Sequence, residues 1–452
     1  LCVQRQGEST RAEYNAAAPV HAPQLPGAAP FHPMPITLEQ FHALRADAGR
    51  ELLARVAAEP PGEALPLLER YRRAYPAGLV AAALELTRLR RKAAAKFSNA
   101  GAMWFTRDGL EMASSEAVAA HVARRFAGLP LVLDLCCGIG GDLLALAAVA
   151  RRAVAVEQDA LALELARANL EAIPHPHPPL PGGEGAATFI HADVTAFIPD
   201  GLALMPFCGL LADGGMFIDP SRRAARAAAR RPEAYAPPLS WCLALTRYCP
   251  RVAITVSPAL DFAEIDAEVE VISLHGECKE AVLWLGDFHA VARRATVLPA
   301  GAALTDVGPS SDALGEIGAY LYEPDAAVIR AGLLRRLAGE LGLRRIDPDI
   351  AYLTGEAPVT SPFVTGFQVR EIIPWSLKRL NAGLAARRIG RVEIKKRGFP
   401  LTPEALRPKL KLTGAAAATL ICTRARGTAV VLIADRLSRD GETISTPERQ
   451  KQ

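Results

Sequence analysis

The chain has 452 residues, half of them hydrophobic and 22% charged, with a formal net charge of +4. That length predicts about two or three domains, and the hydrophobic share supports large buried cores. No uninterrupted apolar run reaches the roughly 18 residues of a membrane span, no basic-then-apolar leader opens the chain, and the eight cysteines contain no C-x-x-C pair. The reading is a cytosolic protein with no membrane span, no disulfide framework and no metal site.

Residues 1–35 are rich in Ala and Pro without periodicity and read as a disordered arm. A helical N-terminal domain is expected over 36–128. Phe41, Leu44, Leu52, Leu53 and Val56 recur at helical spacing, as do Leu68, Tyr71 and Tyr75, and Pro60-Pro61 breaks the pattern between them. Ser114 or Ser115 suits the N-cap of a later helix whose Val118, Val122 and Phe126 share one face. Ahead of it, Met103-Trp104-Phe105-Thr106 either docks this domain on the next or covers a ligand bound beside Gly138.

The next stretch, LVLDLCCGIGGD from Leu131 to Asp142, reads as a buried strand, a glycine turn and the start of a helix. Asp134 lies inside the apolar run, where a carboxylate is costly to bury without a partner. Ala153–Val156 is a second strand and ends in Glu157, nineteen residues after Gly138, the distance at which a nucleotide-binding sheet presents an acid to ribose hydroxyls. Pro174–Gly185 reads as an inserted loop, with His175 and His177 solvated. Further strands are expected at 187–190, before His191-Ala192-Asp193-Val194, at 214–218, before Asp219-Pro220-Ser221-Arg222-Arg223, and at 251–256, before Ser257-Pro258. Two more fall at 267–273 and 281–285, with Glu277–Glu280 as the turn between them. Strands alternating with helices, with polar residues at strand carboxyl ends, predict a doubly wound, Rossmann-like α/β sheet over 129–292.

Residues 294–312 read as loop. A C-terminal α+β domain over 312–437 opens with helical periodicity from Tyr320 and has strands at 363–373, 391–394 and 428–433. Residues 438–452 read as a disordered tail. Between Gly366 and Gly427 fourteen Lys and Arg face three Glu, a local net charge of +11 that leaves −7 for the remainder. Such a concentration is the electrostatic footprint of phosphate binding, or a basic solubilising surface.

LDLCCGIGGD, VEQD, HADV and IDPSRR resemble the motifs of class I S-adenosylmethionine-dependent methyltransferases. KFSNAGAMWFTRDGLEMASSEAVAAH upstream, and LYEPDAAVIRAGLL with IKKRGFPLTPEALRPKLKLTG downstream, resemble the bacterial members with a C-terminal THUMP-like domain. The turn lacks the third glycine of G-x-G-x-x-G, as suits a cofactor without pyrophosphate. The resemblance implies S-adenosylmethionine as cofactor. Asp134 and the backbone of Gly138, Gly140 and Gly141 would face its methionine moiety, with Cys136 and Asp142 in the same set. Glu157, followed by Gln158, would hold the ribose hydroxyls, and Asp193, followed by Val194, the adenine.

Asp219, Pro220, Ser221 and Arg222 stand where this class places residues nearest the transferred methyl group. Asp219 would accept a hydrogen bond from the attacking group or act as its base, while Arg222 and Arg223 would hold phosphate. A strand-end Asp that caps the next helix is the other reading of Asp219. The motif resembles the Asp-Pro-Pro-Arg version of several RNA methyltransferases, with Ser221 replacing the second proline and no aromatic following. The THUMP-like resemblance implies structured RNA, tRNA or rRNA, as partner, with Lys395, Lys396, Arg397, Lys409 and Lys411 as contacts. A protein or small-molecule acceptor, or a non-catalytic adenosylmethionine or RNA binder, remains open on the sequence.

Overall fold

A computed structural model describes residues 35–62, 64–173, 187–197, 208–221, 231–438 and 443–444. The expected arm apart from residue 35, the loop carrying His175 and His177, Arg222 and Arg223, and most of the expected tail lie outside those residues.

Four helices come first: α1 (Leu38–Arg45), α2 (Asp47–Ala58), α3 (Ala64–Tyr71) and α4 (Ala77–Ala93). Thr37 and Gln40 cap α1 reciprocally, each side chain accepting from the other's backbone N–H. Phe41, Leu44, Leu52, Leu53 and Val56 are buried against α4, as their spacing predicts, and the Pro60-Pro61 break falls between α2 and α3.

Two helices follow, α5 (Arg107–Met112) and α6 (Glu116–Ala123). Ser115 occupies the N-cap position of α6 but its side chain makes no capping bond, and the Ser114 hydroxyl donates to Glu280 instead. Packing holds this helix. Val118, Val122 and Phe126 are at most 2% exposed, and burying three such side chains contributes roughly 5–9 kcal/mol against the ~1 kcal/mol of a cap. They share a core with Val132, Phe217 and Trp284, so α6 packs on the central sheet although the expected helical domain ran to residue 128.

That sheet is built in chain order from β1 (Val132–Leu135), α7 (Gly141–Val149), β2 (Ala153–Glu157), α8 (Ala160–Ala172), β3 (Ala187–His191), α9 (Val194–Phe197), α10 (Cys208–Leu211), β4 (Gly215–Ile218), α11 (Leu239–Leu243) and β5 (Arg251–Val256). Then come β6 (Glu268–Leu274), β7 (Glu277–Gly286), β8 (Arg293–Leu298) and β9 (Ala302–Thr305). The strand order is β3-β2-β1-β4-β5-β7-β6-β8-β9. The first five strands are parallel and β7 runs antiparallel to β5 and β6. Every residue of β1 and β4 is buried, as expected of parallel strands covered on both faces.

Two expectations are corrected. Residues 294–312 are not all loop, because Arg293–Leu298 and Ala302–Thr305 pair antiparallel and carry the sheet past residue 292. Ala295 and Leu304 bury themselves there, and only Pro299-Ala300-Gly301 turns. The turn between β6 and β7 is His275-Gly276, both at positive φ, so Glu277–Glu280 belongs to β7.

The second sheet has the order β11-β12-β10-β13-β16-β15-β14, with β17 paired to β16. Its elements are β10 (Tyr320–Pro324), α12 (Ala326–Arg330), α13 (Leu334–Leu341), β11 (Arg344–Asp347), β12 (Ile350–Gly355), β13 (Val364–Pro374), α14 (Leu377–Ala386), β14 (Ile389–Lys396), α15 (Pro403–Leu406), β15 (Ala416–Ala425), β16 (Thr428–Leu437) and β17 (Thr443–Ile444). Tyr320–Pro324 is therefore a strand, where helix was expected; Asp325 stops it by capping α12. Thr443–Ile444 pair with β16 inside the segment expected to be disordered.

The two sheets share a core, in which Val328 and Leu337 of α12 and α13 meet Val271 and Val297. Arg330 donates to the carbonyls of Pro258 and Leu260, just past the end of β5. Among the described residues no helix is long and apolar enough to cross a membrane.

Candidate active site

The chain leaves β1 through three left-handed residues, Cys136 (φ 66°), Gly138 (φ 54°) and Gly140 (φ 85°). A side chain at such φ costs roughly 1–2 kcal/mol, and strain of this kind gathers at functional sites. The glycines differ in purpose. A Cβ on Gly140 would stand 3.2 Å from Ala166 of α8, and one on Gly141 3.2 Å from the Ala113 side chain, so both allow close packing. A Cβ on Gly138 would meet nothing within 4 Å. Of the three glycines expected to face a ligand, Gly138 alone opens on free space.

Glu157, at the end of β2, is held by backbone. It accepts from the Gly138 N–H at 2.9 Å on one oxygen and from the Gln158 and Asp159 N–H groups at 2.9 and 3.0 Å on the other. The spacing of nineteen residues thus becomes direct contact between the acid and the turn. Asp193 accepts from the backbone N–H and hydroxyl of Thr195, which fixes it at the mouth of α9.

A cleft of about 220 Å³ joins these strand ends. Cys136, Glu157, Gln158, Asp193 and Val194 line it together, as the sequence predicts. Its opposite wall is Tyr235, Pro237 and Pro238, which the sequence reading missed. Ser221 brings that wall in by exchanging backbone hydrogen bonds with Ala236, at 2.8 and 2.9 Å. Tyr235 is thereby held in the core beside the cleft, 3% exposed. Its hydroxyl accepts from the Ser257 N–H at the end of β5. The legible signal was an aromatic and two prolines in one short segment.

Below the turn, acids crowd. Asp134 is 1% exposed and neither carboxylate oxygen has a hydrogen-bond partner among the described residues. Burial first, then the neighbouring Asp142, Asp219 and Glu157, pushes its carboxyl well above the usual range. Burial, with Asp219 adding to it and a hydrogen bond from Ser114 opposing it, pushes Asp142 up to about 7. A buried, unpartnered carboxylate is costly unless a ligand supplies the missing donors. Asp134, the free space at Gly138 and the fixed Glu157 together fit a cofactor that carries cationic groups and a ribose.

The turn is braced from behind. Asn169 of α8 is fully buried, and its side chain accepts from the Trp104 N–H at 2.6 Å while donating to the Trp104 and Ile139 carbonyls at 3.1 and 2.9 Å. Lys96 donates to the carbonyls of Leu110, Glu111 and Ala113 at the end of α5. Met103, Phe105 and Leu110 share a core with Ile139 of the turn. The Met103–Thr106 stretch therefore docks the helices on the turn, the first of its two readings.

Asp219 and buried Pro220 follow β4, with the Asp219 N–H donating to the Leu135 carbonyl at 3.4 Å, so this motif stands beside the end of β1. Arg222 lies outside the described residues. The C-terminal residues expected to contact RNA are divided. Lys395 donates to Glu323 at 2.6 Å, and Arg397 pairs with the same carboxylate at 3.6 Å while lying over the Tyr352 ring. Lys396, Lys409 and Lys411 are exposed and stand in no ion pair among the described residues.

Residues 364–436 match a family model described as THUMP domain-like, and residues 37–93 match one for a domain of unknown function (DUF8688). Over 355 residues the chain is 36% identical to an uncharacterised S-adenosylmethionine-dependent methyltransferase of Mycobacterium tuberculosis, found in strains CDC 1551 / Oshkosh and H37Rv. That match covers 75% of this chain and 92% of the relative. A crystal structure of a proposed methyltransferase from Porphyromonas gingivalis W83 is similar with a TM-score of 0.67 at 22% identity, covering 86% of this chain and 99% of that one. That second likeness is one of fold.

Proposed function

The chain belongs to the S-adenosylmethionine-dependent methyltransferases, and from that premise we propose that it methylates a base in structured RNA, tRNA or rRNA, by direct transfer. The observation that carries the RNA reading is the coincidence of the THUMP domain-like stretch, residues 364–436, with the +11 stretch from Gly366 to Gly427.

S-adenosylmethionine, when bound, supplies an electrophilic methyl group. In this reading the unpartnered Asp134 carboxylate holds the amino end of the cofactor. Glu157, kept rigid by three backbone N–H groups, presents its remaining lone pairs to the ribose hydroxyls. Asp193 and Val194 face the adenine. Asp219 accepts a hydrogen bond from the attacking atom of the acceptor and holds the proton released there. Pro220 and Ser221 fix the direction of Asp219, since Ser221 is tied on both backbone groups to Ala236. Tyr235, Pro237 and Pro238 narrow the cleft and exclude water. Alignment of acceptor and methyl group is the main catalytic contribution such a site makes.

The test is incubation of the full chain with tritiated S-adenosylmethionine, total bacterial RNA and a protein lysate. Label in an RNA fraction, absent with Asp219→Ala, is the expected result. Label confined to protein or small molecules, or no transfer at all, would overturn the RNA reading.

A further inference from the structure

The cations of the +11 stretch fall into two populations. Six are consumed internally by carboxylates. Arg370 pairs with Asp435, Arg387 with Glu371, and Lys395 and Arg397 with Glu323. Arg424 pairs with Asp347 and Asp349, and Arg426 with Glu316. Lys395 and Arg397 are the most enclosed of the six, sharing the Glu323 carboxylate, whereas the Arg426–Glu316 pair is exposed to solvent.

The other eight are exposed and stand in no ion pair among the described residues, and they gather at one end of the sheet. Lys378 and Arg379 open α14, Arg388 and Arg391 continue from it into β14, and β14 is the edge strand. Lys409 and Lys411 return alongside, locked to α14 by Asn381, which donates to the Lys409 carbonyl at 3.1 Å and accepts from the Lys411 N–H at 2.8 Å. Arg407 ties the same segment to β14 by donating to the Val392 carbonyl. Lys396 is the exception in this group, since Glu404 lies close enough for Lys396 to help hold its carboxyl down.

Between α14 and the returning segment lies an open cleft of about 610 Å³, lined by Leu377, Lys378, Asn381, Ala382 and Lys411. We propose that this cleft and the edge beside it take the phosphate backbone of an RNA, with Lys378, Lys409 and Lys411 as phosphate contacts, and that Lys395 and Arg397 are structural. The inference rests on the RNA reading of the preceding section and gives it a location.

Three observations favour this occupant. Lys378 and Lys411 line the cleft, and further exposed cations stand on α14, on β14 and on the returning segment, a concentration of positive charge that suits phosphate binding. Asn381 fixes the backbone that carries two of them, so the spacing of charges is built in. A membrane surface would call for large apolar side chains beside the cations. The one exposed large hydrophobic in this stretch is Ile372, on β13, separated from β14 by β16 and β15.

Fluorescence anisotropy of the full chain with fluorescein-labelled bulk tRNA, between 50 and 200 mM salt, tests the proposal. The triple variant Lys378→Ala, Lys409→Ala, Lys411→Ala should bind more weakly and lose about 3 from the slope of log affinity against log salt. The double variant Lys395→Ala, Arg397→Ala should keep that slope and instead lower the melting temperature. Unchanged affinity and slope in the triple variant, with tRNA bound by the unaltered protein, would overturn the cleft while leaving the RNA reading in place. No tRNA binding by the unaltered protein at 50 mM salt, or binding of phosphatidylserine vesicles in its stead, would overturn both.

Discussion

Asn169 shows how much of the glycine turn's position can hang on one buried side chain. Its carboxamide joins α8, the Trp104 backbone and the glycine turn, with no solvent exposure. Asn169→Ala strands the Trp104 N–H and two carbonyls, each costing about 1–3 kcal/mol when left unsatisfied. The expected result is a destabilisation of about 3 kcal/mol or more, read as a melting temperature several degrees lower, with weakened cofactor binding. An unchanged melting temperature would remove Asn169 from this role. At this scale the placement of Gly138, Glu157 and Asp193 just past strand ends was legible, because short strand–turn–helix units with local spacing position them. Asn169 was not, since a polar residue between Ala166 and Leu170 gives no hint of its three partners. Tyr235 was not either, because it arrives through pairing of Ser221 with Ala236 across a stretch that carries no periodic pattern.

Between elements, a charged knot ties Arg125, just after α6, to the antiparallel part of the first sheet. Glu268 of β6 is fully buried and receives Arg125 and Arg294. Glu270 accepts from Trp284 at 2.9 Å and Thr296 at 2.5 Å and contacts His121 at 2.7 Å. Burial alone would raise the Glu268 carboxyl, but hydrogen bonds from Arg125, Arg294 and the Ala290 N–H outweigh it and bring the carboxyl down from 4.5 to about 2. A depressed folded-state value means that this stabilisation is complete above about pH 4.5 and is lost as pH falls toward 2. Melting temperatures of the unaltered protein and Glu268→Gln should therefore differ most near neutral pH and converge between pH 4.5 and 2; a pH-independent difference would contradict the assignment. Element reading from sequence succeeded for the parallel strands, whose apolar runs are continuous. It missed β8, β9, β11, β12 and β15 and took β10 for helix; β8 and β9 flank the Pro299-Ala300-Gly301 turn, and β10 is only five residues long and ends at the Asp325 cap.

Across the whole molecule, the charge count needed the fold to become informative. The fourteen cations looked equivalent because Glu316, Glu323, Asp347, Asp349 and Asp435 lie outside the stretch that was counted. Folding returns these acids to five of the cations and leaves the β14 end free. The shared core of α12, α13 and the first sheet, with Arg330 gripping the turn after β5, joins this basic domain to the cleft that Tyr235 walls. The proposed methyl transfer requires the strand ends of β1 and β2 to hold S-adenosylmethionine. Calorimetric titration of S-adenosylmethionine into the full chain and into Gly138→Val, with melting temperatures recorded for both, tests that most directly. Binding by the unaltered chain and its loss in a folded Gly138→Val variant is the predicted result; equal affinity in the two would contradict the account.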